Sequence, residues 1–133
     1  MNDIRVVAAA AVLFGVACTR APEVAIVSPA DGDMLNVRSV LVRLKTEGVT
    51  IAPVAEQRPG AMHLHLFLDV DPTPAGTAVP VGVPGITHLG GGQTEFTLDS
   101  VPPGDHRLIV VLGDNAHVVA AGQRMDTVRF MVH

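Results

Sequence analysis

Residues 61–70 read AMHLHLFLDV. Met62, Leu64, Leu66, Leu68 and Val70 recur at every second position, with His63, His65, Phe67 and Asp69 between them. A period of two belongs to a β-strand, whose successive side chains point to opposite faces. A helix, with 3.6 residues per turn, cannot place those five apolar residues on one side. The apolar set predicts a face against a core. The set carrying His63 and His65 predicts a polar face.

The same period runs through the rest of the chain. Residues 24–27 form a short apolar run. Val40, Val42 and Leu44 alternate with Leu41, Arg43 and Lys45, and Phe96 and Leu98 alternate with Glu95 and Thr97. Near the C-terminus Val128, Phe130 and Val132 repeat the pattern. Residues 106–112 are apolar on both faces, as expected of a central strand. Residues 78–83 read as an edge strand, because Pro80 and Pro84 lack the N–H that a sheet ladder needs. Residues 48–60 read as a longer loop or weak strand. Turns rich in Pro, Gly and Asp separate these runs at residues 28–33, 71–76 and 101–105. No segment beyond residue 23 carries a helical period. About seven short strands joined in this way predict an all-β chain, an immunoglobulin-like antiparallel β-sandwich over residues 24–133.

Composition narrows the function. Hydrophobic residues make up 48% of the 133, enough to supply one domain with a core. Trp and Tyr are absent and Phe occurs four times, which argues against stacking platforms for sugars or bases. The net charge is −4, with no basic run, so nucleic acid is not an expected partner.

The first residues predict export. Residues 6–17 (VVAAAAVLFGVA) are a run of small and apolar side chains, too short to span a bilayer comfortably and suited to the core of a signal peptide. The only cysteine, Cys18, follows at once. Gly15-Val16-Ala17-Cys18 resembles a bacterial lipobox, with Gly15 where such sequences usually carry Leu. On that resemblance residues 1–17 are signal peptide, Cys18 bears the lipid that ties the protein to the periplasmic side of a membrane, and residues 18–23 form the tether. The alternative is ordinary cleavage after Ala17, leaving a soluble periplasmic or secreted protein with a free thiol. In either case a lone cysteine has no partner for a disulfide within this chain.

The histidines carry the remaining chemistry. Residues two apart on a strand lie about 6.5–7 Å apart on one face. Two imidazoles at that spacing can converge on one ion, at about 2.0–2.1 Å each for zinc. His63 and His65 are such a pair. Further ligands would come from two loop histidines, His88, before the glycines at 90–92 that free the backbone, and His117, after the central strand; Asp69, Met62 and Met125 are additional candidates. Imidazole suits copper and zinc, and a thioether would favour copper(I). Asp69 could instead accept a hydrogen bond from a ligating imidazole. The competing reading is a solvated or hydrogen-bonded strand face with no metal. His106, at a strand start after Pro102-Pro103-Gly104-Asp105, reads as structural, and His133 at the chain end receives no role.

Five segments together resemble a family of exported bacterial domains of unknown function. They are Ser28-Pro29-Ala30-Asp31-Gly32, Gly48-Val49-Thr50-Ile51-Ala52-Pro53, the strand at 62–69, His88-Leu89-Gly90-Gly91-Gly92-Gln93-Thr94-Glu95, and Pro103-Gly104-Asp105-His106 continuing to Gly113-Asp114-Asn115-Ala116-His117. The resemblance implies that His63, His65, His88, His106 and His117 occupy the family's histidine positions. Leu64 stands where the family has a further histidine and Met62 where it has Gly. The second histidine that usually follows the position of His117 is absent, since Val118, Val119 and Ala120 come next.

Two functions follow as expectations. One is an exported binding module that holds copper or zinc through His63, His65, His88 and His117. The alternative is a non-catalytic structural or protein-interaction domain of the cell envelope, with the histidines holding loops together. An enzyme is not expected. Ser28, Ser39 and Ser100 show no nucleophile-elbow pattern. Glu95, the one candidate general base for a zinc hydrolase, reads as a solvated strand residue.

Overall fold

The alternating stretches become strands in the computed structural model, which describes residues 20–133. In chain order they are β1 (Glu23–Ser28), β2 (Met34–Leu35), β3 (Val40–Glu47), β4 (His63–Leu68), β5 (Ile86–Leu89), β6 (Glu95–Leu98), β7 (Gly104–Gly113) and β8 (Asp126–Val132). A single 3₁₀ turn, Val54–Glu56, lies between β3 and β4, and no α-helix occurs among the described residues. One sheet has the order β1-β3-β6 and the other β2-β8-β7-β4-β5. Strand pairing is antiparallel throughout except for the short β2 beside β8. The expected immunoglobulin-like β-sandwich is the fold. The signal segment and Cys18 lie outside the described residues.

The inner faces of the two sheets make the main core. Leu64 and Leu66 of β4, Leu108, Val110 and Leu112 of β7, and Val128, Phe130 and Val132 of β8 pack with Val24, Ile26, Val40, Val42 and Leu44 of the smaller sheet. Each such side chain withdrawn from water contributes about 1.5–3 kcal/mol. With no disulfide available, this burial holds the sandwich together.

Two expectations are corrected. Residues 78–83 form no edge strand. Pro80 and Pro84 interrupt the ladder, and the segment pairs with the loop after β7 through an isolated bridge between Ala78 and Val118. The edge position beside β4 belongs to β5, and with the two-residue β2 the described residues hold eight strands, in keeping with the expected number.

The second correction concerns the outer face of β4, which does not face water. His63 and His65 are each 1% exposed, and Phe67 is fully buried. Phe67 joins Ile109 and Val111 of β7 and Val79 and Val119 of two loops in a second apolar cluster. Those loops are stitched together over the sheet. Gly76 N donates to Val119 O, Val119 N to Thr77 O and Val79 N to His117 O. A loop cover therefore turns the expected polar face into an interior.

Candidate metal centre

The site is assembled by register. His65 of β4 lies directly opposite His88 of β5. Paired residues of antiparallel neighbours share a face with Cβ atoms about 4.5–5.5 Å apart. His63, two residues earlier, points to the same side. His117 arrives from the loop after β7, in the left-handed backbone region at φ 63°. The turn that presents it is built on Asp114. The Asp114 Oδ1 accepts from Ala116 N at 2.8 Å and Val118 N at 2.9 Å, and His117 N donates to the Asp114 carbonyl at 2.9 Å.

The four imidazoles meet. Their ring centroids lie between 4.5 and 5.8 Å apart. One nitrogen from each can be chosen so that all lie within 4.8 Å of one another, and this group could hold a metal ion. Two nitrogens bound to one ion at about 2.1 Å are at most about 4.2 Å apart. The widest pair therefore has to close by at least roughly 0.6 Å for two ligands opposite one another, and by about 1.4 Å in a tetrahedral site.

Hydrogen bonding leaves donor atoms over. His63 Nε2 and His117 Nδ1 are 3.1 Å apart and share one hydrogen bond. The Nδ1 atoms of His63 and His65 are buried with no partner. An unpartnered buried polar atom costs about 1–3 kcal/mol, so such atoms are uncommon without a ligand or a function. Protonation does not relieve them. Burial, then the neighbouring His88 and His117, push His63 down to about 4 against a partial opposing pull from Asp114. Burial, then His63, His88 and His117, push His65 down to about 3. His88 is lowered too, by burial and then by His117. Neutral imidazole is the form that binds a metal.

Two glycines give the rings their space. A Cβ on Gly90 would sit 2.3 Å from His88 Cε1, and one on Gly113 would sit 2.8 Å from His65 Cε1. Neither glycine occupies the left-handed region, so the requirement is steric. Gly90 is also anchored, since its carbonyl accepts from Val54 N at 2.9 Å and Gly91 bridges Pro53. Sequence reasoning took the glycines at 90–92 as backbone freedom and did not identify Gly90, Gly113 or Asp114 as parts of a site. The pairing of a glycine with a nearby histidine at 88–90 was the available signal for Gly90; Gly113 meets His65 of another strand.

The other candidates lie elsewhere. His88 is on a strand rather than in a loop. Asp69 is at the far end of β4, where its Oδ2 is 2.7 Å from His106 Nδ1 and its Oδ1 accepts from Arg107 N. It is therefore no partner to the four histidines. His106 is structural in its contacts, with Nε2 2.7 Å from the Pro102 carbonyl. Burial alone would lower His106, but the Asp69 hydrogen bond, the Pro102 carbonyl and the charges of Asp69 and Asp105 together raise it. A groove of 620 Å³ beside His106 is larger than any space at the cluster but contains none of the four histidines. Met62 packs against the main core and Met125 is half exposed, and neither belongs to the group. Glu95 is exposed and paired with Arg43 at 3.1 Å.

A family profile described as a domain of unknown function, DUF4399, matches residues 42–133. The turn at 28–32 lies before the matched residues. No curated protein matches the chain. Among solved structures, the crystal structure of the apo-form Calx CBD1 domain is similar at 17% identity and a TM-score of 0.35, covering 86% of this chain and 99% of that one.

Proposed function

Starting from the fact that this chain belongs to the DUF4399 family, a domain family of unknown function, we propose that it is a non-catalytic metal-binding module of the bacterial cell envelope. The ion is copper or zinc, held by His63, His65, His88 and His117. The carrying observation is the convergence of four imidazoles, two of them buried with an unpartnered nitrogen. An all-nitrogen imidazole set suits zinc and copper better than magnesium or calcium, which take oxygen ligands. Export rests on the apolar run at residues 6–17, and anchoring rests on Cys18 as the lipidated residue. The protein would then present its metal site on the periplasmic side of a membrane.

A second reading has one observation in its favour. The hydrogen bond between His63 and His117 fastens the loop after β7 to the sheet. In that reading the histidines are structural clips in an envelope interaction domain.

Calorimetric titration with copper and with zinc separates the two, repeated on His63→Ala/His65→Ala and on His65→Leu. The metal reading expects stoichiometric binding that both variants lose. It also expects metal-free His65→Leu to be more stable than wild type by about 1 kcal/mol, because an apolar side chain removes an unpartnered buried nitrogen. Absence of binding together with a destabilised His65→Leu would overturn it in favour of the structural reading.

A further inference from the structure

One side of the histidine cluster is not packed. A cavity of 60 Å³ lies there, lined by His65, His88 and His117 and by Val79, Pro80, Val81, Gly82 and Ile86. His63 is the one imidazole of the four that does not line it. A water-sized sphere takes about 10–15 Å³ on this measure, so the space admits roughly four such spheres, or a molecule of a few heavy atoms. Apart from the three imidazoles, the walls are aliphatic side chains and the backbone of Gly82; two of the side chains, Val79 and Ile86, extend from the second apolar cluster.

This arrangement separates the site into a packed side and an open side. An ion among the four imidazoles would have His63 and the sheet behind it. On its other side it would face a small pocket, partly open to solvent past Pro80, Val81 and His88. Metal sites whose protein ligands leave such a position take up water or a small ligand there, whereas fully enclosed sites do not. The aliphatic walls add no charged group to recognise a large or multiply charged molecule. Size and donor strength toward the metal would then select the ligand.

We infer that the metal site, resting on the reading given above, keeps one coordination position open toward the cavity under residues 79–82, and that this position binds a compact exogenous ligand, water or a monoanion of no more than a few atoms. The step is ligand exchange only. Water leaves the metal as the anion arrives, and neither electrons nor group transfer are involved.

Cobalt(II) can stand in for zinc, because its visible spectrum reports coordination number, and azide is a compact monoanionic probe. The experiment titrates azide into the cobalt-loaded full chain, wild type and with the cavity narrowed by Val79→Leu or Ile86→Phe. The inference expects a saturable change in the cobalt spectrum of the wild type. It expects azide binding to weaken about tenfold or more in a narrowed variant that keeps its cobalt affinity, since the added side-chain atoms occupy the space that the anion needs. If cobalt binds and azide leaves the spectrum unmoved, the site is closed, and this inference falls while the metal reading stands. If azide binds equally well to the narrowed variants, the ligand position is not in this cavity and the inference also falls. If cobalt itself does not bind at the four histidines, the metal reading fails and this inference fails with it. Should both narrowed variants lose cobalt, the wild-type azide titration decides alone.

Discussion

Gly90 and Gly113 are the residues on which the geometry of the imidazoles turns. Each lies so close to a ring that a single methyl group would overlap it, at 2.3 Å from His88 and 2.8 Å from His65. Real contacts between carbon atoms settle near 3.5–4.0 Å, so one of the two partners has to move by an ångström or so. His65 stands on a strand buried on both faces and cannot yield without disturbing β7. His88 is exposed and its ring can swing, but swinging takes it away from the other three. Gly90→Ala is therefore expected to leave the fold intact and weaken metal binding about tenfold or more, while Gly113→Ala also lowers stability by about 1–3 kcal/mol through overpacking. Metal titration and urea unfolding of the two variants measure the two effects separately. Equal metal affinity in wild type and Gly90→Ala would show that His88 is not a ligand.

At the scale of elements, the site is a product of strand register and one turn. β4 and β5 bring His65 and His88 opposite one another, and the loop after β7 brings His117 to them. Asp114 sets that loop through two hydrogen bonds accepted by one carboxylate oxygen. Asp114→Ala removes the acceptor of both hydrogen bonds and frees His117 from its left-handed conformation. It is expected to cost about 1–3 kcal/mol in stability and to weaken metal binding. Asp114→Asn keeps an oxygen in the same place and is expected to restore most of both, a contrast that loss of charge alone would not produce. Thermal unfolding and metal titration of the pair supply the check.

The strands that the sequence made legible are those with long alternation. β3, β4 and β8 follow directly from their apolar period, and β7 from a run that is apolar on both faces. β2 has only two residues, and β5, Ile86-Thr87-His88-Leu89, does not alternate, so neither stood out. For the site, the four histidines were legible as candidates because His63 and His65 are two apart on a strand. Their burial was not. It arises from the stitching of residues 76–79 to 117–119, a contact between distant segments that a local pattern does not carry. The steric role of Gly113 against His65 was hidden for the same reason, whereas Gly90 lies only two residues from His88.

At the scale of the whole molecule, a buried group of neutral imidazoles links stability to pH. The folded values of His63 and His65, about 4 and about 3, lie below the usual 6.5. Below pH 6.5 the unfolded chain takes up protons that the folded chain refuses, so unfolding is favoured. The contribution of these two residues is thus complete above pH 6.5 and is lost as pH falls through about 4 and then about 3. His106 acts in the opposite sense. Its raised value makes its contribution complete below the usual 6.5 and loses it as pH rises through the folded value. The metal-free protein is expected to lose urea resistance steadily on acidification from pH 6.5. A variant with Leu at both 63 and 65 is expected to lose much less over the same range. Parallel curves for the two proteins would show that the cluster does not govern acid sensitivity.

Metal occupancy should also stabilise the molecule, because the converging site exists only in the folded chain. An ion present at about one hundred times its dissociation constant contributes about 2.7 kcal/mol. That effect, however, reports binding anywhere on the fold. The most direct test of the central claim is an anomalous difference map from crystals of the zinc-loaded protein. The account predicts a peak bonded to imidazole nitrogens of His63, His65, His88 and His117. A well-ordered cluster with no peak, or zinc bound only at another place, would contradict it.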